Sequence, residues 1–120
     1  MQDGDALVWN TSTPDGVRTT QPAAGTLSLF VGIADGTIAA SAYGLAQCYG
    51  YKAAALISND TATAVVAGDI FLPVAAQDYL YRYASGGDVA NFASGHILAA
   101  EAVATAATTQ VTYKVFLRAM

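Results

Sequence analysis

The sequence predicts an all-β chain, a small antiparallel β-barrel or compact sandwich of about eight short strands. Three observations carry that prediction. Bulky residues alternate with small or polar ones over short runs. Gly, Asp, Asn and Pro fall between the runs, and no stretch combines helical periodicity with convincing start and stop signals. At 120 residues the chain suffices for one core and is short for two, and no linker-like stretch divides it. Residues 1–120 are therefore expected to form a single β-barrel domain, with loops near residues 10–26 and 84–95.

In chain order, Ala6 to Asn10 reads as a strand because Val8 and Trp9 favour extended backbone, and Trp9 is suited to anchor a sheet face. Pro14 and Asp15-Gly16 mark a reversal, after which Val17 to Thr20 completes a hairpin. Leu27 to Ala34 alternates as a strand, and Asp35-Gly36 turns the chain.

The most regular stretch is Tyr43 to Tyr51. Its odd positions hold Tyr43, Leu45, Gln47, Tyr49 and Tyr51, and its even positions hold Gly44, Ala46, Cys48 and Gly50. An extended strand sends these sets to opposite faces. The small face, Gly44, Ala46, Cys48 and Gly50, is expected to close-pack against another backbone or a large neighbouring side chain. A helix would scatter the tyrosines and put two glycines in its interior at about 1 kcal/mol each.

Lys52 to Ile57 has alanines that favour helix but too few residues to hold one, so a strand is expected. Thr61 to Val66 extends the pattern and Ala67-Gly-Asp69 turns it. In Ile70 to Val74, Pro73 lacks a donor and points to an edge or an interruption. Tyr79, Tyr81 and Tyr83 line one face of a further strand, and Ala84 to Asp88 is a loop. A strand from Gly95 to about Val103 and a terminal strand over Gln110 to Arg118 complete the count, the latter with Val111, Tyr113, Val115 and Leu117 on one face.

Composition narrows function. The chain is 54% apolar and 12% charged, with five Lys/Arg and nine Asp/Glu. A folded monomer of 12.3 kDa exposes roughly 6,000 Å², which so few charges cover thinly. Much of the surface is therefore expected to meet other protein. With a net charge of −4 and no Lys/Arg run, direct nucleic-acid binding is not expected. No apolar run is long enough to span a bilayer, and the first residues lack the basic and apolar parts of a signal peptide, so a soluble chain not secreted by that route is expected.

No constellation of catalytic residues stands out, and no enzyme activity is expected. His96 is the one histidine and nothing in its spacing selects a nucleophile for it, so it reads as a surface or interface residue. Cys48 has no nearby cation to activate it and suits a buried thiol. Asp3, Asp5, Asp15, Asp35, Asn59, Asp60 and Asp88 supply loop oxygens without the dense alternation of a calcium loop, so no metal or other cofactor is expected. Trp9, Tyr43, Tyr49, Tyr51, Tyr79, Tyr81 and Tyr83 are the candidates for core packing or a subunit interface, with stacking on sugars as the alternative.

Several short motifs together resemble those of a known group: Gly4-Asp-Ala6, Val31-Gly-Ile-Ala34, Tyr43-Gly-Leu-Ala-Gln47, Gly50-Tyr51, Ala67-Gly-Asp69 and Tyr113-Lys-Val-Phe-Leu-Arg118. The chain resembles the small β-rich virion proteins of tailed bacteriophages, above all head decoration or capsid cement proteins. The resemblance implies a structural barrel on the outer capsid surface of the virion, with the major capsid protein as partner and a homo-oligomer, a trimer by preference. It implies no catalytic residues. The alternative function is a head or tail accessory that binds host-surface carbohydrate.

Overall fold

The computed structural model describes residues 1–12, 18–58, 64–82, 96–102 and 111–118. Nine strands alternate with turns: β1 (Ala6–Trp9), β2 (Thr19–Thr20), β3 (Phe30–Ala34), β4 (Ala46–Gln47), β5 (Tyr49–Ser58), β6 (Ile70–Pro73), β7 (Leu80–Arg82), β8 (His96–Ala99) and β9 (Val111–Arg118). They form a four-stranded sheet of order β2-β1-β3-β4 and a closed five-stranded barrel of order β5-β7-β6-β8-β9. The protein is thus all-β, and every pairing is antiparallel except that of β5 with β7.

The longest ladder joins β5 to β9, with Tyr49 opposite Arg118, Tyr51 opposite Phe116 and Lys52 opposite Val115. Along β9, Tyr113, Val115 and Leu117 are buried while Thr112, Lys114, Phe116 and Arg118 are exposed, the period of a half-buried strand. These inward residues join Ala55, Ile57, Phe71, Leu80, Ile97 and Ala99 of the barrel, together with Ala6, Phe30 and Ile33 of the sheet, in one apolar cluster. One core therefore serves both sheets. Tyr113 buries its ring beside Phe71 at 6.4 Å and donates its hydroxyl to the Glu101 carbonyl at 2.7 Å.

A strap at residues 1–5 bolts the sheet to the barrel. Gly4 N–H donates to the Ala34 carbonyl and the Gly4 carbonyl accepts from Leu56 N–H, at 3.1 and 2.9 Å. Gly4 has φ +91°, and a Cβ there would lie 2.7 Å from the Ala54 carbonyl oxygen. Only glycine lets the strap come this close to β5.

Two expectations need correction, and two others are sharpened. Leu27 to Leu29 is a 3-10 turn, so β3 starts at Phe30. The cause is local: Thr26 Oγ1 bonds both N–H and carbonyl of Ala23, and Leu29 N–H donates to the Thr26 carbonyl, which curls the chain before it can extend. Tyr43 to Tyr51 is not one strand, because the chain passes from sheet to barrel at Cys48 and divides into β4 and β5. Of the two readings of Pro73, interruption holds and edge does not. Its strand has neighbours on both sides, but β8 pairs only with Ile70 and Phe71, so no donor is demanded of Pro73. Within the loop near residues 10–26, β2 pairs with β1 as the expected hairpin, over Thr19 and Thr20. The loop at 84–95, Asp15, Asn59, Asp60, Tyr83 and the His96 side chain lie outside what is described.

Candidate functional site

The aromatic residues singled out by the sequence do not converge on one site. Tyr49 and Tyr51 stand on the outer face of β5, 68% and 53% exposed, and Phe116 stands beside them on β9, 41% exposed. The rings of Tyr49 and Phe116 meet edge to face at 5.7 Å and 75°. Arg118, opposite Tyr49, and Lys114 border this patch, and the Lys114 ammonium is paired with Glu101 at 2.9 Å. The result is an aromatic face with a cationic margin on the most extensively paired ladder of the barrel.

Tyr43 lies elsewhere, on the arm that joins β3 to β4, and is 93% exposed, with Leu45 at 72%. Ala42 N–H donates to the Ala39 carbonyl across a turn in which Ser41 has φ +61°. Ile38 exchanges backbone hydrogen bonds with Met1, at 3.0 and 3.1 Å, and Asp35 N–H donates to the Leu45 carbonyl at 2.8 Å. The arm is thus held at its base and at its return. Between it and the sheet is a groove of about 840 Å³, lined by Leu7, Trp9, Val31, Ile38, Tyr43 and Leu45 among others. Trp9 is exposed at the rim, whereas Tyr79 and Tyr81 are half-buried with their rings 5.4 Å apart.

The small-residue face divides at the same place as the strand. Cys48 packs against the core and Gly50 takes φ +92° at the entry to β5. Gly44 and Ala46 are exposed, although a side chain on Gly44 would collide with Ile38. Close packing on this face is therefore restricted to Cys48 and to the Gly44–Ile38 contact, since a Cβ on Gly50 would meet only Gln47 Nε2 at 3.8 Å. Gln47 bridges the division, its Nε2 donating to the carbonyls of Tyr49 and Tyr51 at 3.2 and 2.7 Å.

Beneath the strap, the Lys52 ammonium lies 2.8 Å from Asp3 and 2.7 Å from Asp35, with its side chain only 7% exposed. Burial works against its charge, but the two carboxylates outweigh burial and raise its pKa above 10.5. The hydrogen bond from Lys52, followed by that from Gly36 N–H, lowers the pKa of Asp3 below 3.8. Asp5, two residues on, is buried, and desolvation raises its pKa although it accepts from Gln2 N–H at 2.6 Å. Asp3 and Asp35 are thus ligands of an ammonium. Among the described residues, no cluster of three His, Cys, Asp or Glu could hold a metal ion.

No protein-family model, curated protein or solved structure matches this chain. Its surfaces must speak for its function.

Sequence reasoning passed over Phe116, Leu45 and Lys52. The first two carried a usable signal: Phe116 shares the outer face of β9 with Lys114 and Arg118, and Leu45 shares its parity with Tyr43. Lys52 continues the even-numbered inward set of Cys48 and Gly50, so parity alone puts a lysine inside and demands carboxylates for it.

Proposed function

We propose that this protein is a non-catalytic structural component that binds the outer surface of an assembled bacteriophage capsid, as a decoration or cement protein, with the major capsid protein as its partner. The observation that carries this reading is the outer face of β5 and β9. Tyr49, Tyr51 and Phe116 expose their rings on a paired scaffold, and Arg118 and Lys114 flank them. Tyrosine, phenylalanine and arginine are the residues that protein interfaces favour. A rigid ladder presents them with little ordering cost. On a shell, many equivalent copies turn modest single contacts into firm reinforcement.

The test is co-sedimentation with expanded shells of the major capsid protein of the phage that encodes the chain. Wild-type protein is expected in the shell pellet, and Tyr51→Ala or Phe116→Ala should each weaken binding by about tenfold, the effect of a contact worth about 1.4 kcal/mol. Protein that stays in the supernatant at saturating shell concentrations would refute the reading.

Carbohydrate binding is the second reading, favoured by the same exposed tyrosines. The edge-to-face setting of Tyr49 and Phe116 weighs against it, because a sugar ring stacks best on a flat aromatic platform. Glycan binding that is lost in Tyr49→Ala, with no affinity for shells, would establish it instead.

A further inference from the structure

We infer that two copies of this chain join through the outer edge of β4, continuing the four-stranded sheet across a two-fold axis. The inference is independent of the capsid reading. It rests on where the backbone of the arm points. In the β3–β4 ladder Ile33 faces Gln47 and Ala34 faces Ala46, and the Leu45 carbonyl accepts from Asp35 N–H. Ala34 spends its own N–H and carbonyl on the other side, on Asp5 and Gly4. Ala34 and Ala46 are therefore the pair without mutual hydrogen bonds, and by the alternation of an antiparallel ladder the N–H and carbonyl groups of Ala46 and Gly44 point away from β3. β4 ends the sheet, and among the described residues nothing bonds to the backbone of Gly44 or Ala46.

Edges of this kind are normally blunted by charge, proline or a bulge. Ala39 to Ala46 has no charged residue and no proline, and all eight of its residues are exposed. The turn at Ala39 to Ala42 and the bonds at Ile38 and Leu45 already hold the arm in place, so little order remains to be imposed on pairing.

A second copy is the occupant that this edge fits. An antiparallel edge is its own complement about a two-fold axis. Centring the axis on Leu45 sets Gly44 of one copy opposite Ala46 of the other, and each such pair exchanges two hydrogen bonds. The two Leu45 residues then oppose each other at the closely spaced position, with Cα atoms about 4.5 Å apart. Gly44 and Ala46 put no bulk on the opposite face. Charge also agrees: the groove lining and Ala39 to Ala46 contain no Asp or Glu, so copies carrying a net charge of −4 meet along a stretch without carboxylates.

Sedimentation equilibrium on the isolated protein tests this. The wild type is expected at twice the chain mass of 12.3 kDa. Ala46→Pro removes a donor that the protomer does not use, and Leu45→Lys sets like charges against each other on the edge. Each should weaken dimerisation at least about tenfold, with the far-ultraviolet circular dichroism spectrum unchanged. If Ala46→Pro does not fold, Leu45→Lys carries the test. Hydrogen exchange should show the Gly44 and Ala46 amides protected in the wild type and released in Leu45→Lys. A wild type that sediments as a monomer at high micromolar concentration overturns the inference, even if it binds capsid shells. So does an oligomer whose mass Leu45→Lys leaves unchanged.

Discussion

The barrel and the four-stranded sheet satisfy the same backbone requirement by different means. In the barrel, β5, β7, β6, β8 and β9 close on one another, so no strand is left as an edge. In the sheet, β2 and β4 are two-residue strands at the margins, and the Gly44 and Ala46 backbone has no partner among the described residues. Closure leaves side chains to define β5 and β9: their inward residues build the core, and their outward residues Tyr49, Tyr51 and Phe116 are free to face outside. In the sheet the backbone itself remains available. One surface therefore offers side chains and the other offers main chain.

This contrast is open to attack in order of expected effect. Phe71→Ala should cost most, about 3–5 kcal/mol in urea unfolding, because the ring is fully buried where the barrel core meets Tyr113. A loss below about 1 kcal/mol would mean that closure does not organise the core. Gly4→Val attacks the joint between the two sheets. A side chain at φ +91° and 2.7 Å from the Ala54 oxygen should cost about 2–4 kcal/mol in thermal or chemical unfolding.

Lys52→Met removes the ammonium that Asp3 and Asp35 share. Those carboxylates are 47% and 56% exposed and regain water, so the cost should be about 1–2 kcal/mol rather than the 3–5 of a fully buried pair. The pH profile identifies the cause. Asp3 has a lowered folded pKa, so its contribution is present above 3.8 and is lost as pH falls through the folded value. Lys52 has a raised one, so its contribution is complete below 10.5 and is lost as pH rises through the folded value. The gap between wild type and Lys52→Met should therefore be widest near neutrality and close at both extremes.

Ala46→Phe should matter least, within about 0.5 kcal/mol of wild type at low protein concentration, because the residue is exposed on the sheet margin. A large loss would show that the close-packed small-residue face extends past Cys48 after all.

Much of the fold was legible because it is written in period two. The alternation of β9, the turn at Asp35-Gly36 and the preference for strand over helix at Lys52 to Ile57 all reappear in the structure. The failures have local or topological causes. Thr26 gripping Ala23 makes a 3-10 turn where alternation suggests a strand, and Cys48 marks a passage between sheets that no periodicity reports. The candidate residues were legible as a class, but their grouping was not. Tyr43 and Tyr49 share a parity and yet serve different surfaces, because the chain changes sheets between them.

By itself the sequence determined that this protein is β, that Tyr113, Val115 and Leu117 share one face of its terminal strand, and that little charge is present to cover its surface. Those properties follow from side-chain chemistry read along a backbone of known period. Only the tertiary structure decided that five strands close into a barrel while four stay open, that a buried lysine draws Asp3 and Asp35 together, and that Gly44 and Ala46 end on a free edge. Those depend on which distant segments meet, and most close approaches in this fold join residues far apart in the chain, beyond the reach of any local pattern.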